Sequence, residues 1–219
     1  MNLRKHHGGN YIQKSKMIKA KHTTFFTWFF KHYSSFKLKH NFSDILIKGN
    51  PEISNQAVLL IGNHFSWWDG FIAKYINDTF FNRTFHVMML ENELKDRMFL
   101  SKAGAYSIMK NSRSMVESLA YTKKLLQNRK NLVTIYPQGR FYSLYHFPIE
   151  FEKGFLKQLL KEDIDFQIVF YVALVDYFEK PKPKLTLGLK RIETSYFTPE
   201  GLESEFNTFY KSLIMEQKQ

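Results

Sequence analysis

The sequence predicts a single α/β domain with a central mixed sheet flanked by helices, preceded by a basic, aromatic N-terminal helix. Three observations carry this reading. Short apolar runs of strand length, Val58–Ile61, Phe85–Leu90, Leu132–Tyr136 and Ile168–Val175, alternate with longer stretches of helical periodicity. The turn Lys180-Pro181-Lys182-Pro183 joins the last of these runs to a further strand, so a hairpin sits within an otherwise alternating pattern. At 219 residues the chain is long enough for a full core and short for two domains, and no Gly/Ser/Pro-rich linker or internal repeat divides it.

In order, a helix is expected over about 22–38, then a strand over Ile45–Lys48. Val58–Ile61 leads through a loop containing His64 into a helix over about 67–81. Ser66-x-x-Asp69 has the form of a capping box at that helix start, with Asp69 reaching back to the cap. Phe85–Leu90 reads as a buried strand and about 92–103 as a short helix. Ser114-x-x-Glu117 caps a helix running to about Asn128, with Met115, Leu119 and Leu126 among its apolar positions. Leu132–Tyr136 is a strand, about 150–161 a helix, and Ile168–Val175 and Lys184–Ile192 the hairpin strands. Thr198-Pro199-Glu200 opens the last helix, on which Leu202, Phe206, Phe209, Leu213 and Ile214 share a face. In such sheets ligands gather beyond the strand ends, where His64 and Arg140 fall.

Residues 63–69 carry the chemistry: Asn63-His64-Phe65-Ser66-Trp67-Trp68-Asp69, directly after Ala57–Gly62. A carboxylate that accepts an imidazole N–H fixes the tautomer and stabilises the imidazolium, so the other ring nitrogen can take a proton from a hydroxyl. The capping role of Asp69 is compatible with this one, since a capped helix start holds the carboxylate rigidly. A second segment, Leu132 to Arg140, ends a β-branched run in Pro137-Gln138-Gly139-Arg140. Glycine there lets backbone approach a ligand, and arginine offers a planar fork of donors for an anion.

In this order and spacing the two segments resemble the glycerolipid acyltransferase family, which includes the 1-acylglycerol-3-phosphate and lysophospholipid acyltransferases. Asn63, His64 and Asp69 match its Asn-His-x4-Asp motif without gaps. Tyr136-Pro137-Gln138-Gly139-Arg140 is similar to its Phe-Pro-Glu-Gly-Thr-Arg motif. Between them, Gly104 to Arg113 looks like a family stretch ending in a basic residue ahead of a helix, and Lys153-Gly154 resembles a later Lys-Gly element. The resemblance covers roughly residues 45–190. It implies an O-acyltransferase domain over 41–219, with an acyl thioester (acyl-CoA or acyl-carrier protein) as co-substrate, no cofactor and no metal. His64 would be the general base and Asp69 its orienting acid. Arg113, Tyr136, Pro137, Gln138, Gly139 and Arg140 would bind substrate, and backbone N–H groups of the His64 or Gly139 loops would stabilise the oxyanion. Two departures bear on the acceptor: Gln138 stands where the family usually has Glu, and Arg140 comes one position early.

The charge balance narrows the partners. The chain carries +12 with a pI near 9.6, and 17% of its residues are aromatic. Residues 1–40 hold nine Lys and Arg with no acidic residue, around the cluster Phe25-Phe26-Thr27-Trp28-Phe29-Phe30. Rings flanked by lysines suit a segment lying in the headgroup boundary of an anionic membrane, so residues 1–40 are expected to associate with membrane lipids. A helix packing its aromatic face on the domain is the competing expectation. The cluster is too short to span a bilayer and lacks the pattern of a signal peptide. The expected location is therefore the cytoplasmic face of a membrane, peripheral or monotopic. No nucleic-acid-binding signature accompanies the basic charge. With no cysteine, disulfides, thiolate metal sites and a cysteine acyl-enzyme are excluded. His86 reads as a core histidine, His146 as a surface one, and no His/Asp/Glu spacing resembles a metal site. The alternative class is a basic peripheral membrane-binding protein that keeps the fold without the activity.

Overall fold

The computed structural model describes residues 17–109, 113–161, 165–193 and 198–217. Seven strands, β1 (Asp44–Lys48), β2 (Ala57–Gly62), β3 (Thr84–Leu90), β4 (Ala105–Ile108), β5 (Asn131–Ile135), β6 (Phe166–Asp176) and β7 (Lys184–Ile192), form one sheet in the order β1-β7-β6-β2-β5-β3-β4. β6 and β7 pair antiparallel across the proline-containing turn, with Ile168 opposite Ile192 and Asp176 opposite Lys184. All other neighbours are parallel, which makes the sheet mixed as expected.

Both faces of the sheet are covered, which is why the central strands read as unbroken apolar runs. Along β2, Val58 and Leu60 point to one face and Leu59 and Ile61 to the other, and all four are fully buried. The first face is covered by α1 (Thr24–Asn41) and α2 (Asp69–Ile76), through Leu38, Ile72, Ala73 and Ile76. The second is covered by α4 (Arg113–Leu126), α5 (Lys153–Leu159) and α6 (Pro199–Met215), through Leu126, Leu156, Leu159, Phe206 and Tyr210. A sixth helix, α3 (Glu91–Asp96), follows β3.

The structure differs from the sequence reading in three places. The segment expected as one helix over about 92–103 is α3 followed by a 3₁₀ turn, Met98–Ala103. The helix expected over about 67–81 is α2 continued by a π-turn, Asn77–Phe81, which ends at left-handed Asn82. The stretch after Gly104 contains an unanticipated strand, β4, at the sheet edge. That edge is not open: Ser107 donates its N–H to Ile18 O, and Ile18 N–H returns a bond to the Ser107 hydroxyl. Residues ahead of α1 thus cover an edge that would otherwise present unpaired backbone.

The aromatic helix α1 packs part of its aromatic face on the domain and leaves the rest exposed. It packs on α2 through Tyr33 against Phe71, while Phe42, just past its end, packs on Trp68. Phe25, Trp28 and Phe36 stay exposed. Among the described residues no helix is long and apolar enough to cross a membrane. The basic residues at 4–16 lie outside the described residues.

Candidate active site

β2 and β5 are parallel neighbours, so the loops that follow them leave the sheet at the same edge. Asn63, the first residue past β2, is buried and acts as a surrogate strand residue. Its amide nitrogen donates to Ala173 O at 2.9 Å, and its amide oxygen accepts from Ala173 N at 2.8 Å. His64 follows, with Nδ1 2.6 Å from Asp69 Oδ2. The same carboxylate oxygen accepts from the backbone N–H of Phe65 at 2.9 Å and of Ser66 at 3.2 Å. The reach-back half of the expected capping box is therefore present, while the Ser66 hydroxyl accepts from Trp68 N–H instead of a later amide. Asp69 is 1% exposed. Burial pushes its carboxyl above the ordinary value, against the hydrogen bond and charge of His64 and the two backbone donors.

The imidazole of His64 lies between two rings. Tyr136 stacks on it at 4.5 Å and 16°, and Phe141 at 4.1 Å and 34°. The Tyr136 hydroxyl donates to the backbone carbonyl of Asp69 at 2.9 Å, and Tyr171 of β6 donates to that hydroxyl at 2.9 Å. Burial pushes both phenols well above their usual pKa, so both remain donors. Gly62 makes room for this: a Cβ there would fall 2.1 Å from the Tyr171 ring.

Gln138 was expected to touch substrate, and its side chain is instead turned onto His64. It is 2% exposed. Its Oε1 accepts from His64 N–H at 2.6 Å, and its Nε2 donates to His64 O at 3.2 Å. Tyr142 N–H donates to the same carbonyl at 2.9 Å. The expectation of oxyanion donors in the His64 loop also changes, because the N–H groups of His64, Phe65, Ser66 and Trp68 are all engaged within the protein. The Gly139 N–H is engaged as well, donating to Tyr136 O at 3.1 Å.

The remaining predicted residues fall around a cavity of about 1330 Å³ lined by residues of α1, α2, β3, α3 and α5 and of the loops after β2 and β5. His64, Asp69, Tyr136, Pro137, Gly139 and Arg140 line it at one end. Its walls also include Phe30 and Tyr33 of α1, Phe71 of α2, and Phe85 and Val87 of β3. Gly139 adopts a left-handed φ of 66°, the conformation that the turn after Pro137 requires of it. Arg140 is exposed at the mouth, its guanidinium 3.0 Å from the Tyr142 hydroxyl and 4.8 Å from the centre of that ring. Lys153 pairs with Glu203 at 3.2 Å. Lys74 lines the cavity and is paired with Asp78; burial lowers its pKa against that partner. Arg113 opens α4, but its side chain lies outside the described residues, as does Lys110. His86 is a buried core histidine held down to about 4 by burial, with His22 packed edge-on at 4.7 Å. Among the described residues, no group of His, Cys, Asp and Glu could hold a metal ion. Sequence reasoning missed Tyr171 altogether, because a tyrosine inside an apolar strand carries no local mark of a site.

The family model described as Acyltransferase matches residues 44–171, which span β1 to β6 and include the whole His64–Asp69 loop. The chain belongs to the acyltransferase family. No curated protein matches this acyltransferase by sequence. Among solved structures its fold is similar to the 1-acyl-sn-glycerophosphate (LPA) acyltransferase PlsC from Thermotoga maritima. The two agree with a TM-score of 0.61 at 16% identity, over 88% of this chain and 80% of that one.

Proposed function

We propose that this acyltransferase moves a fatty acyl group from an acyl thioester, acyl-CoA or acyl-carrier protein, to a hydroxyl of a lysophospholipid or similar lipid acceptor. One observation carries the reading: a histidine oriented by a buried carboxylate lines a large, mostly apolar cavity. With Nδ1 directed at Asp69, Nε2 of His64 takes the proton of the acceptor hydroxyl as its oxygen attacks the thioester carbonyl carbon. The tetrahedral oxyanion collapses, the C–S bond breaks, and the proton on His64 passes to the departing sulfur. No acyl-enzyme is formed. The acyl chain lies along the apolar cavity, and Arg140, exposed at its rim, pairs with an anionic headgroup or with the phosphates of the donor.

The acceptor's nature fits the surface around the mouth. Phe25, Trp28 and Phe36 of α1 are exposed beside lysines, and Trp67, on the cavity rim, is 61% exposed. Such rings bury in the headgroup boundary while ammonium groups meet phosphates. This acyltransferase therefore works at the surface of an anionic membrane and draws its acceptor from it. The decisive experiment measures thiol release from an acyl-CoA with mixed lysolipids in vesicles, for wild type and His64→Ala. The variant should lose at least 10²–10⁴-fold, the usual contribution of a general base. A folded variant within tenfold of an active wild type would overturn the mechanism, and no thiol release by wild type would leave a membrane-binding protein that keeps the fold alone.

A further inference from the structure

We infer that Gln138 and Tyr136 are positioning residues that hold the two halves of the His64–Asp69 pair by their backbones. The inference rests on the catalytic reading of that pair. His64 lies beyond the end of β2, where Tyr142 N–H bonds its carbonyl at 2.9 Å, and a base displaced by about 1 Å loses much of its effect. Gln138 adds a bond to the His64 N–H and a second one to that carbonyl. Its amide accepts from His64 N–H at 2.6 Å and donates to His64 O at 3.2 Å, so one neutral side chain satisfies both backbone groups of the base. An amide does both at any pH, which an ionised carboxylate does not. A carboxylate of the same shape has acceptors alone and would set an oxygen against the His64 carbonyl oxygen. It would also put a second negative charge beside a base whose charge state matters to each turnover.

Tyr136 acts on the other half. Its hydroxyl donates to the Asp69 carbonyl at 2.9 Å, at the first turn of α2, while its ring stacks flat on the imidazole. The hydroxyl is itself aimed by Tyr171, which donates to it at 2.9 Å through the space that Gly62 leaves open. Both grips come from the single turn after β5, the turn that also carries Arg140 to the cavity mouth. A shift of that turn would move base, orienting acid and anion contact together.

The test compares wild type, His64→Ala, Gln138→Glu, Gln138→Met, Tyr136→Phe, Tyr171→Phe and the Tyr136→Phe/Tyr171→Phe double variant, with one donor and one acceptor throughout and Tm measured for each. Gln138→Met, similar in volume but without either bond, should lower kcat by about 10²-fold with both KM values within threefold. Gln138→Glu keeps the acceptor and should lose at least tenfold in kcat. Tyr136→Phe removes one oxygen and keeps the stacked ring; about a tenfold loss in kcat is expected, and adding Tyr171→Phe to it should cost less than a further twofold. Tyr136→Phe decides the matter if both Gln138 variants fail to fold. A change confined to KM would make Gln138 a substrate contact and overturn the inference, as would wild-type kcat in folded variants. Neither result is confused with failure of the catalytic reading, which shows as activity retained by His64→Ala.

Discussion

Replacing Asp69 by Asn separates the catalytic charge from the structural bonds it makes. Asp69 Oδ2 accepts three hydrogen bonds, from His64 Nδ1, Phe65 N–H and Ser66 N–H, while Oδ1 has no partner among the described residues. An asparagine therefore keeps its oxygen at the Oδ2 position, since turning its NH₂ there would oppose donor to donor three times. The tautomer of His64 survives and only the negative charge is lost. With charge centres about 4 Å apart and an effective dielectric near 20, that charge stabilises an imidazolium by about 4 kcal/mol. At 1.36 kcal/mol per decade the rate should fall about a thousandfold. Stability should move the other way. The unfolded carboxyl titrates near 3.8 and the folded one above it, so between those pH values the native state holds more protons. Stability therefore falls as pH rises through that window, and above it the buried charge is a net cost that Asn removes. The assay is kcat for thiol release at neutral pH beside a thermal melt. A loss under tenfold, or a Tm well below wild type, would refute the reasoning.

The other expectations concern the cavity mouth, the sheet and the membrane. Arg140→Ala should raise KM for donor or acceptor with kcat little changed, and should leave Tm alone, because the side chain is exposed and its hydrogen bond and ring contact are both to Tyr142; a fall in kcat at constant KM would argue against a headgroup contact. Gly62→Ala should destabilise by about 1–3 kcal/mol, since its Cβ would land 2.1 Å from the Tyr171 ring, and denaturant unfolding measures this directly. The triple variant Phe25→Ala, Trp28→Ala, Phe36→Ala should keep its Tm yet bind anionic vesicles more weakly, with the difference persisting at high salt because burial of rings is not screened; unchanged binding would move the membrane contact elsewhere. Deleting residues 1–40 is a poorer test, because it removes Leu38 from the core and Phe30 and Tyr33 from the cavity wall.

What could be read from the chain follows how its contacts are distributed. β2, β5 and β6 are buried on both faces, so their residues are mostly apolar and announced themselves, with Thr134 the polar residue inside the run Leu132–Ile135. β4 is four residues, Ala-Tyr-Ser-Ile, too short and too mixed to register, and it exists because β3 pairs it on one side while residues near Ile18 close the other. The break at Arg97, where the backbone leaves helical angles between α3 and the 3₁₀ turn, has no glycine or proline to mark it. The placement of α1 followed its caps, since Thr23 accepts from Phe26 N–H and opens the helix within two residues of the expected start.

The site divides along the same line. His64 and Asp69 were legible because they meet within a single turn, five residues apart, where spacing alone brings imidazole and carboxylate together. Gln138 meets His64 across 74 residues, and Tyr171 meets Tyr136 across 35, contacts that only the sheet order β6-β2-β5 creates. Without that order, Gln138 could be read only as a departure from a motif, and the natural inference was a changed acceptor. The geometry gives it a different consequence. A buried amide bonded at both ends to the backbone of the base is turned away from a headgroup, so on the proposed function recognition of the acceptor would fall to exposed side chains lining the cavity. Arg140 is one, and Arg97 of the turn after α3, which also lines the cavity, is another. Differences in acceptor between this acyltransferase and its relatives should therefore be sought at the rim, while position 138 governs how firmly the base is held.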